Sequence, residues 1–147
     1  MKRYLLNSFA SLLILMGCSA LAADDSSALQ GKWSVQKTAE DGKTITQTVE
    51  FKKDKFIFEL KKDDKTLHAE GDIKIEKQGP FKSIRFYHIK AGETADDLQE
   101  VGEERTLIYV LDDNTWTAAT NFEEDHTNEK QTIDVYKRVT KKAADAK

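Results

Sequence analysis

The stretch Ala28-Leu29-Gln30-Gly31-Lys32-Trp33-Ser34-Val35 opens the folded part of the chain. Gly31 allows the backbone to turn sharply because it has no Cβ atom. Trp33 is the first large apolar side chain that a domain could bury. From here to Val139 the sequence alternates between short strand-like segments and charged turns. This pattern predicts a meander of about eight β-strands that starts at this stretch.

Alternation of apolar and polar residues defines the predicted strands. They span residues 32–38, 44–52, 55–60, 66–76, 83–90, 105–111, 115–120 and 131–139. Gly71, in the middle of the fourth strand, indicates a β-bulge or a bend. Two acidic segments, 91–104 and 121–130, are predicted loops, and the first either overhangs the barrel mouth or forms one helical turn around residues 95–98.

The predicted strands have one apolar face, and the sequence contains no amphipathic helix of useful length to cover it. An open sheet would expose this face and two unpaired edges. Closing the sheet removes both problems, and eight strands leave an interior that is filled by side chains or holds one small ligand. The sequence therefore predicts an all-β, eight-stranded antiparallel up-and-down β-barrel, with a two-sheet β-sandwich as the alternative.

The opening stretch also carries a family resemblance. Gly31-Lys32-Trp33 resembles the Gly-x-Trp signature that begins the first strand of lipocalins. Together with residues 108–115 and Tyr136-Lys137-Arg138, it resembles a lipocalin-like family of uncharacterised bacterial, planctomycete-type envelope proteins, over residues 29–139. The resemblance implies a lipocalin-like barrel that can hold a ligand, and it implies no reaction. It also implies that Arg138 packs across Trp33 at the closed end, a cation–π contact of about 1 kcal/mol.

Residues 1–22 have the features of a secretory signal peptide. A basic pair at positions 2–3 precedes a mostly apolar run over residues 4–17, and small residues follow. Two processing sites remain open. A lipobox would end at Cys18, whose acylation would anchor the protein to a membrane; ordinary signal peptidase would instead cut after Ala20-Leu21-Ala22. The intact mass of the mature chain distinguishes them, because only the lipoprotein begins with acylated Cys18.

The remaining chain is predicted to form one domain. Residues 23–28 are a short polar tether, 29–139 the barrel and 140–147 a C-terminal tail. Cys18 is the only cysteine, so we expect no disulfide, and stability must come from an apolar core. The expected location is the bacterial periplasm or envelope.

Charge and motifs argue against several classes of function. The formal net charge is −3, with both signs interleaved, so no basic stripe points to nucleic acid. The sequence has no Gly-x-Ser-x-Gly, no Cys–His pair, no phosphate-binding glycine loop and no His-x-x-x-His. The acidic loop around His126 lacks the spacing of calcium or zinc sites. We therefore expect no enzyme activity, no cofactor and no metal.

Inward-facing apolar side chains are the candidate lining of a ligand pocket. His88 is included because alternation places it on the face of Ile84 and Phe86. Thr46, Thr48 and Thr117 are candidates for polar contacts inside the barrel. The pocket residues predicted are Phe51, Phe58, Phe86, His88, Tyr109 and Trp116.

The predicted function is an exported lipocalin-like protein that binds a small, partly apolar ligand in the barrel interior. The alternative is a non-enzymatic envelope structural or protein-interaction module with a filled barrel and an unknown protein partner.

Overall fold

The structure, a computed structural model, describes residues 20–126 and 128–140. A helix, α1 (Ala20–Leu29), precedes the strands β1 (Gly31–Thr38), β2 (Thr44–Lys52), β3 (Lys55–Lys62), β4 (Lys65–Gln78), β5 (Phe81–Gly92), β6 (Gln99–Glu100), β7 (Arg105–Asp112), β8 (Thr115–Thr120) and β9 (Thr132–Arg138). Eight of these strands begin and end within two residues of the prediction. Cys18, most of the predicted signal peptide and the tail beyond residue 140 lie outside the described residues.

Two short elements were not predicted. The tether residues 23–28 belong to α1, and the two-residue strand β6 lies in the first acidic loop. Residues 95–98 of that loop form no helical turn; instead, the N–H of Asp97 donates to the Thr94 carbonyl at 3.3 Å. Within the described part of the chain, no helix has the length and apolar character needed to cross a membrane.

Eight strands form a closed antiparallel barrel. They follow one another in the order β4-β3-β2-β1-β9-β8-β7-β5, and β5 pairs with β4 to complete the circle, while β6 adds to β5 outside it. The first and last strands meet at two residue pairs, Trp33 with Arg138 and Ser34 with Lys137. The predicted barrel is confirmed, and the sandwich alternative is wrong because the sheet closes on itself.

The up-and-down order gives the barrel two different ends. The closed end holds α1 and the turns at residues 53–54, 79–80 and 113–114. The other end, which we call the mouth, holds the turns at 39–43 and 63–64 and the two acidic loops.

The helix α1 plugs the closed end. Leu29 is fully buried, and its carbonyl accepts a hydrogen bond from the indole Nε1 of Trp33 at 2.8 Å. On the same helix, Asp25 accepts a hydrogen bond from the Tyr109 hydroxyl at 3.2 Å and pairs with Lys82 at 2.7 Å. The burial of Leu29 and these bonds hold the helix against the closed end of the barrel.

Arg138 ties the closed end together. Its guanidinium lies 4.1 Å from the ring centroid of Trp33, so the predicted contact is confirmed. The same group donates to the carbonyls of Ala28 at 2.6 Å, Gln30 at 2.8 Å and Asp113 at 3.1 Å. One side chain of the last strand therefore binds the end of α1, the start of β1 and the β7–β8 turn.

A β-bulge bends the sheet between β4 and β5, as the position of Gly71 in the middle of a strand predicted. The register shifts there, and His88 and Ile89 of β5 face the single residue Gly71 of β4. His88 has a φ of 50°, in the left-handed region. A Cβ atom at position 71 would lie only 2.8 Å from the Tyr87 carbonyl oxygen, so the bulge requires glycine.

We expect Gly71→Ala to lower the free energy of unfolding by about 2–3 kcal/mol, because the new methyl group meets backbone atoms that cannot move aside. Gly79→Ala is the matched control: its Cβ meets nothing within 4 Å, and only its φ of 59° costs energy, about 1 kcal/mol. Urea unfolding of both variants measures the difference. An equal or smaller loss for Gly71→Ala would contradict the role assigned to the bulge.

Candidate functional site

The mouth half of the barrel contains a cavity of about 430 Å³. This volume lies in the range of small-molecule sites, about 300–1,000 Å³. The apolar walls and floor are formed mainly by Val49, Phe56, Phe58, Phe86, Leu107 and Trp116. The polar rim includes Lys37, Gln47, Arg105, Glu123, Asp134 and Tyr136.

The barrel is half filled because its inward side chains change size along the axis. Towards the closed end, Trp33, Phe51 and Ile84 are almost fully buried and fill the interior. Towards the mouth, the lining includes four short side chains, which leave space across the barrel. These are Ala69, Thr106, Thr120 and Thr132.

The cavity floor offers apolar contact alone. Trp116 is 1% exposed, and its indole Nε1 has no hydrogen-bond partner and almost no accessible surface. This N–H therefore does not reach a molecule in the cavity, and the ring packs edge-on with Phe51 at a centroid distance of 5.2 Å. Polar contacts with a ligand are confined to the rim.

Three of the six predicted pocket residues line the cavity, namely Phe58, Phe86 and Trp116. Phe51 and Tyr109 face inward but lie outside this lining. Phe51 is 1% exposed beneath Trp116, and Tyr109 is 3% exposed with its hydroxyl on Asp25 at the closed end. Alternation predicts the face of a strand and does not predict depth along the barrel axis.

The prediction that His88 faces inward is wrong. Its side chain is 71% exposed, and its Nδ1 lies 2.8 Å from Oδ2 of Asp72 on the outer surface. The bulge at Gly71 inserts an extra residue into β5 and reverses the alternation beyond it. Ile89, the next residue, lines the cavity in its place.

The threonines proposed for polar contacts do not line the cavity either. Gln47 lines it, so strand alternation places Thr46 and Thr48 on the outer face of β2. Thr117 likewise lies between the buried residues Trp116 and Ala118 and faces outward. Gln47 shares its face with Val49 and Phe51, which is the signal that could have identified it from sequence.

A partly buried hydrogen bond at the rim links the last strand, β9, to β2. The Tyr136 hydroxyl donates to Oε1 of Gln47 at 3.0 Å. Burial, and then the negative charge of Asp134, raise the pKa of the Tyr136 phenol far above its ordinary value. Tyr136 therefore remains a neutral hydrogen-bond donor at the cavity wall.

Both cations on the rim are held by carboxylates. The ammonium of Lys37 pairs with Asp134. The guanidinium of Arg105 donates to Glu103 and Glu129, each at 2.9 Å. The bond with Arg105, then its charge and that of His126, lower the pKa of the Glu129 carboxyl.

Glu123 is different. It lines the cavity, and its Oε2 accepts the backbone N–H of Thr106 at 2.9 Å. Among the described residues, it is the one cavity-lining carboxylate outside an ion pair. No group of three or more histidine, cysteine or carboxylate side chains in the described ranges is arranged to hold a metal ion.

No family model matches this chain, and no curated protein or solved structure matches it significantly. The resemblance to lipocalin-like envelope proteins therefore stays a prediction from residues 29–139. The fold and the cavity geometry are the basis for a functional proposal.

We expect Tyr136→Phe to lower the free energy of unfolding by about 1 kcal/mol at pH 7, because Gln47 loses its hydrogen bond. The raised pKa of Tyr136 adds a pH dependence. Above about pH 10 the unfolded chain releases the phenolic proton while the folded chain keeps it. The free energy of unfolding that Tyr136 contributes is therefore fully present below that pH. Above it, this contribution falls by about 1.4 kcal/mol per pH unit.

Urea unfolding of both proteins from pH 7 to 11 measures this effect. The advantage of wild type should shrink above pH 10 and then reverse. A difference that stays constant over the whole range would show that Tyr136 ionises as freely in the folded protein as in the unfolded chain.

Proposed function

We propose that this protein binds a small, partly apolar molecule in the barrel cavity and performs no chemistry on it. The observation that carries this proposal is a cavity of about 430 Å³ with apolar walls and a polar rim at one end of a closed barrel. Each methylene group of a ligand that moves from water into the cavity contributes about 0.8 kcal/mol to the free energy of binding. The resemblance to lipocalin-like proteins supports the same function by fold analogy.

The proposed setting is the bacterial envelope, reached through the signal peptide predicted at residues 1–22. The chain enters the barrel through α1 at the closed end. A lipid on Cys18 would therefore attach at the end opposite the mouth. In the lipoprotein form, the protein would hold its cavity away from the membrane and open to the aqueous compartment.

A protein-interaction module is the second candidate. Its support is a set of exposed apolar side chains on the outer face of β7 and β9, with Val110 at 69%, Ile133 at 74% and Val135 at 46% exposure. Val110 and Val135 lie on either side of Thr117 of β8. Such outward apolar residues are typical of protein contact surfaces. The cavity gives no support to a filled barrel, so such a module would use its outer surface.

The neutral fluorescent probe N-phenyl-1-naphthylamine tests ligand binding. We expect its emission to rise and shift to the blue with wild type. Ala69 lines the cavity, so Ala69→Phe should reduce probe affinity at least tenfold by filling the space. The matched control is Ala119→Phe, which adds the same ring on the outward face of β8 and should leave affinity unchanged.

Thermal unfolding of both variants confirms that they remain folded. Equal probe binding by wild type and a folded Ala69→Phe variant would contradict binding in the cavity, and so would no probe binding by wild type.

A further inference from the structure

We propose that the ligand is cationic: an amphiphile with an apolar body and a protonated amine, whose ammonium group meets Glu123 at the rim. This inference rests on the proposed binding function and specifies its ligand class. The apolar floor leaves the rim as the place for a polar head group, so the charges of the rim decide which head group fits.

Among the described residues, both cations that line the cavity, Lys37 and Arg105, are already paired with carboxylates. Lys37 is held by Asp134, and Arg105 lies between Glu103 and Glu129. A fatty-acid carboxylate would have to displace one of these partners and leave a protein carboxylate unpaired. Such an exchange replaces one ion pair by another and gains little, and a partly buried carboxylate without a partner costs free energy.

Glu123 offers a free anion in the right place. Its Oε2 is occupied by the N–H of Thr106, which fixes the carboxylate, and its Oε1 takes part in no hydrogen bond or ion pair within the described residues. The side chain is half-buried at the cavity wall, so water and salt screen its charge less than that of an exposed carboxylate. An ammonium group can therefore bind here without breaking an existing contact.

The loops around the mouth add further negative charge near Glu123. The first acidic loop has six carboxylates between residues 93 and 104 and no lysine or arginine. The second has four carboxylates between residues 121 and 130 and one lysine. In the neighbouring turns, Lys62 pairs with Asp41 and Lys43 pairs with Asp63. A mouth with this excess of negative charge attracts cations and repels carboxylates.

Three probes with the same 12-carbon chain test the inference: dodecylammonium, dodecanol and dodecanoate, each displacing N-phenyl-1-naphthylamine at pH 7. The two ions are used below their micelle concentrations and dodecanol below its solubility limit. We expect dodecylammonium to bind about fivefold more tightly than dodecanol, and dodecanoate to bind more weakly than either. Raising the salt concentration from 20 to 200 mM should narrow these differences.

Glu123→Gln isolates the proposed contact, because the amide oxygen can still accept the Thr106 N–H. We expect it to weaken dodecylammonium binding about fivefold and to leave dodecanol binding unchanged. Glu124→Gln, which removes the same charge from the next, exposed residue outside the cavity lining, is the matched control and should change neither.

Three results would overturn the cationic ligand while the binding function stands. The first is dodecanoate binding as tightly as dodecylammonium. The second is an equal response of the Glu123 and Glu124 variants with dodecanol still bound. The third is dodecylammonium binding that survives Ala69→Phe, which would show adsorption to the outer loops. If none of the three probes binds wild type, the proposed function itself fails.

Discussion

One guanidinium holds the first and last strands of this barrel together. The first and last strands share only two residue pairs, a short seam for a sheet of this size. Arg138 reinforces that seam by stacking on Trp33 and by donating to three carbonyls, those of Ala28, Gln30 and Asp113. A hydrogen bond that involves a charged group contributes about 1.5–3 kcal/mol, so this cluster is large on the scale of a domain's total stability.

The cavity lies where the backbone pairing between the first and last strands ends. Beyond the pair Ser34–Lys137, β1 and β9 separate towards the mouth, and side chains bridge the gap in place of the backbone. Lys37 contacts Asp134, and Tyr136 reaches Gln47 of β2. The closed end is thus filled and tightly bonded, while the mouth is lined by short and polar side chains around an open space.

Much of the fold is predictable from sequence because alternation, turn residues and the need to cover one apolar face all indicate a closed barrel. The contact of Trp33 with Arg138 is predictable from the resemblance of this sequence to lipocalins. Other features depend on geometry that a sequence pattern does not encode. His88 faces outward because a bulge shifts the phase of β5. The depth of Tyr109 and the pairing of Lys37 with Asp134 depend on strand register, which only the closed structure defines.

The measurement that tests this account most directly is the free energy of unfolding of Arg138→Lys in urea. Lysine keeps the positive charge and loses the planar fork that reaches three carbonyls, so we expect a loss of about 2–4 kcal/mol. Lys137→Ala is the matched control at the neighbouring, exposed position, and should change stability by no more than about 0.5 kcal/mol. If Arg138→Lys were as neutral as the control, closure of the barrel would not depend on this side chain.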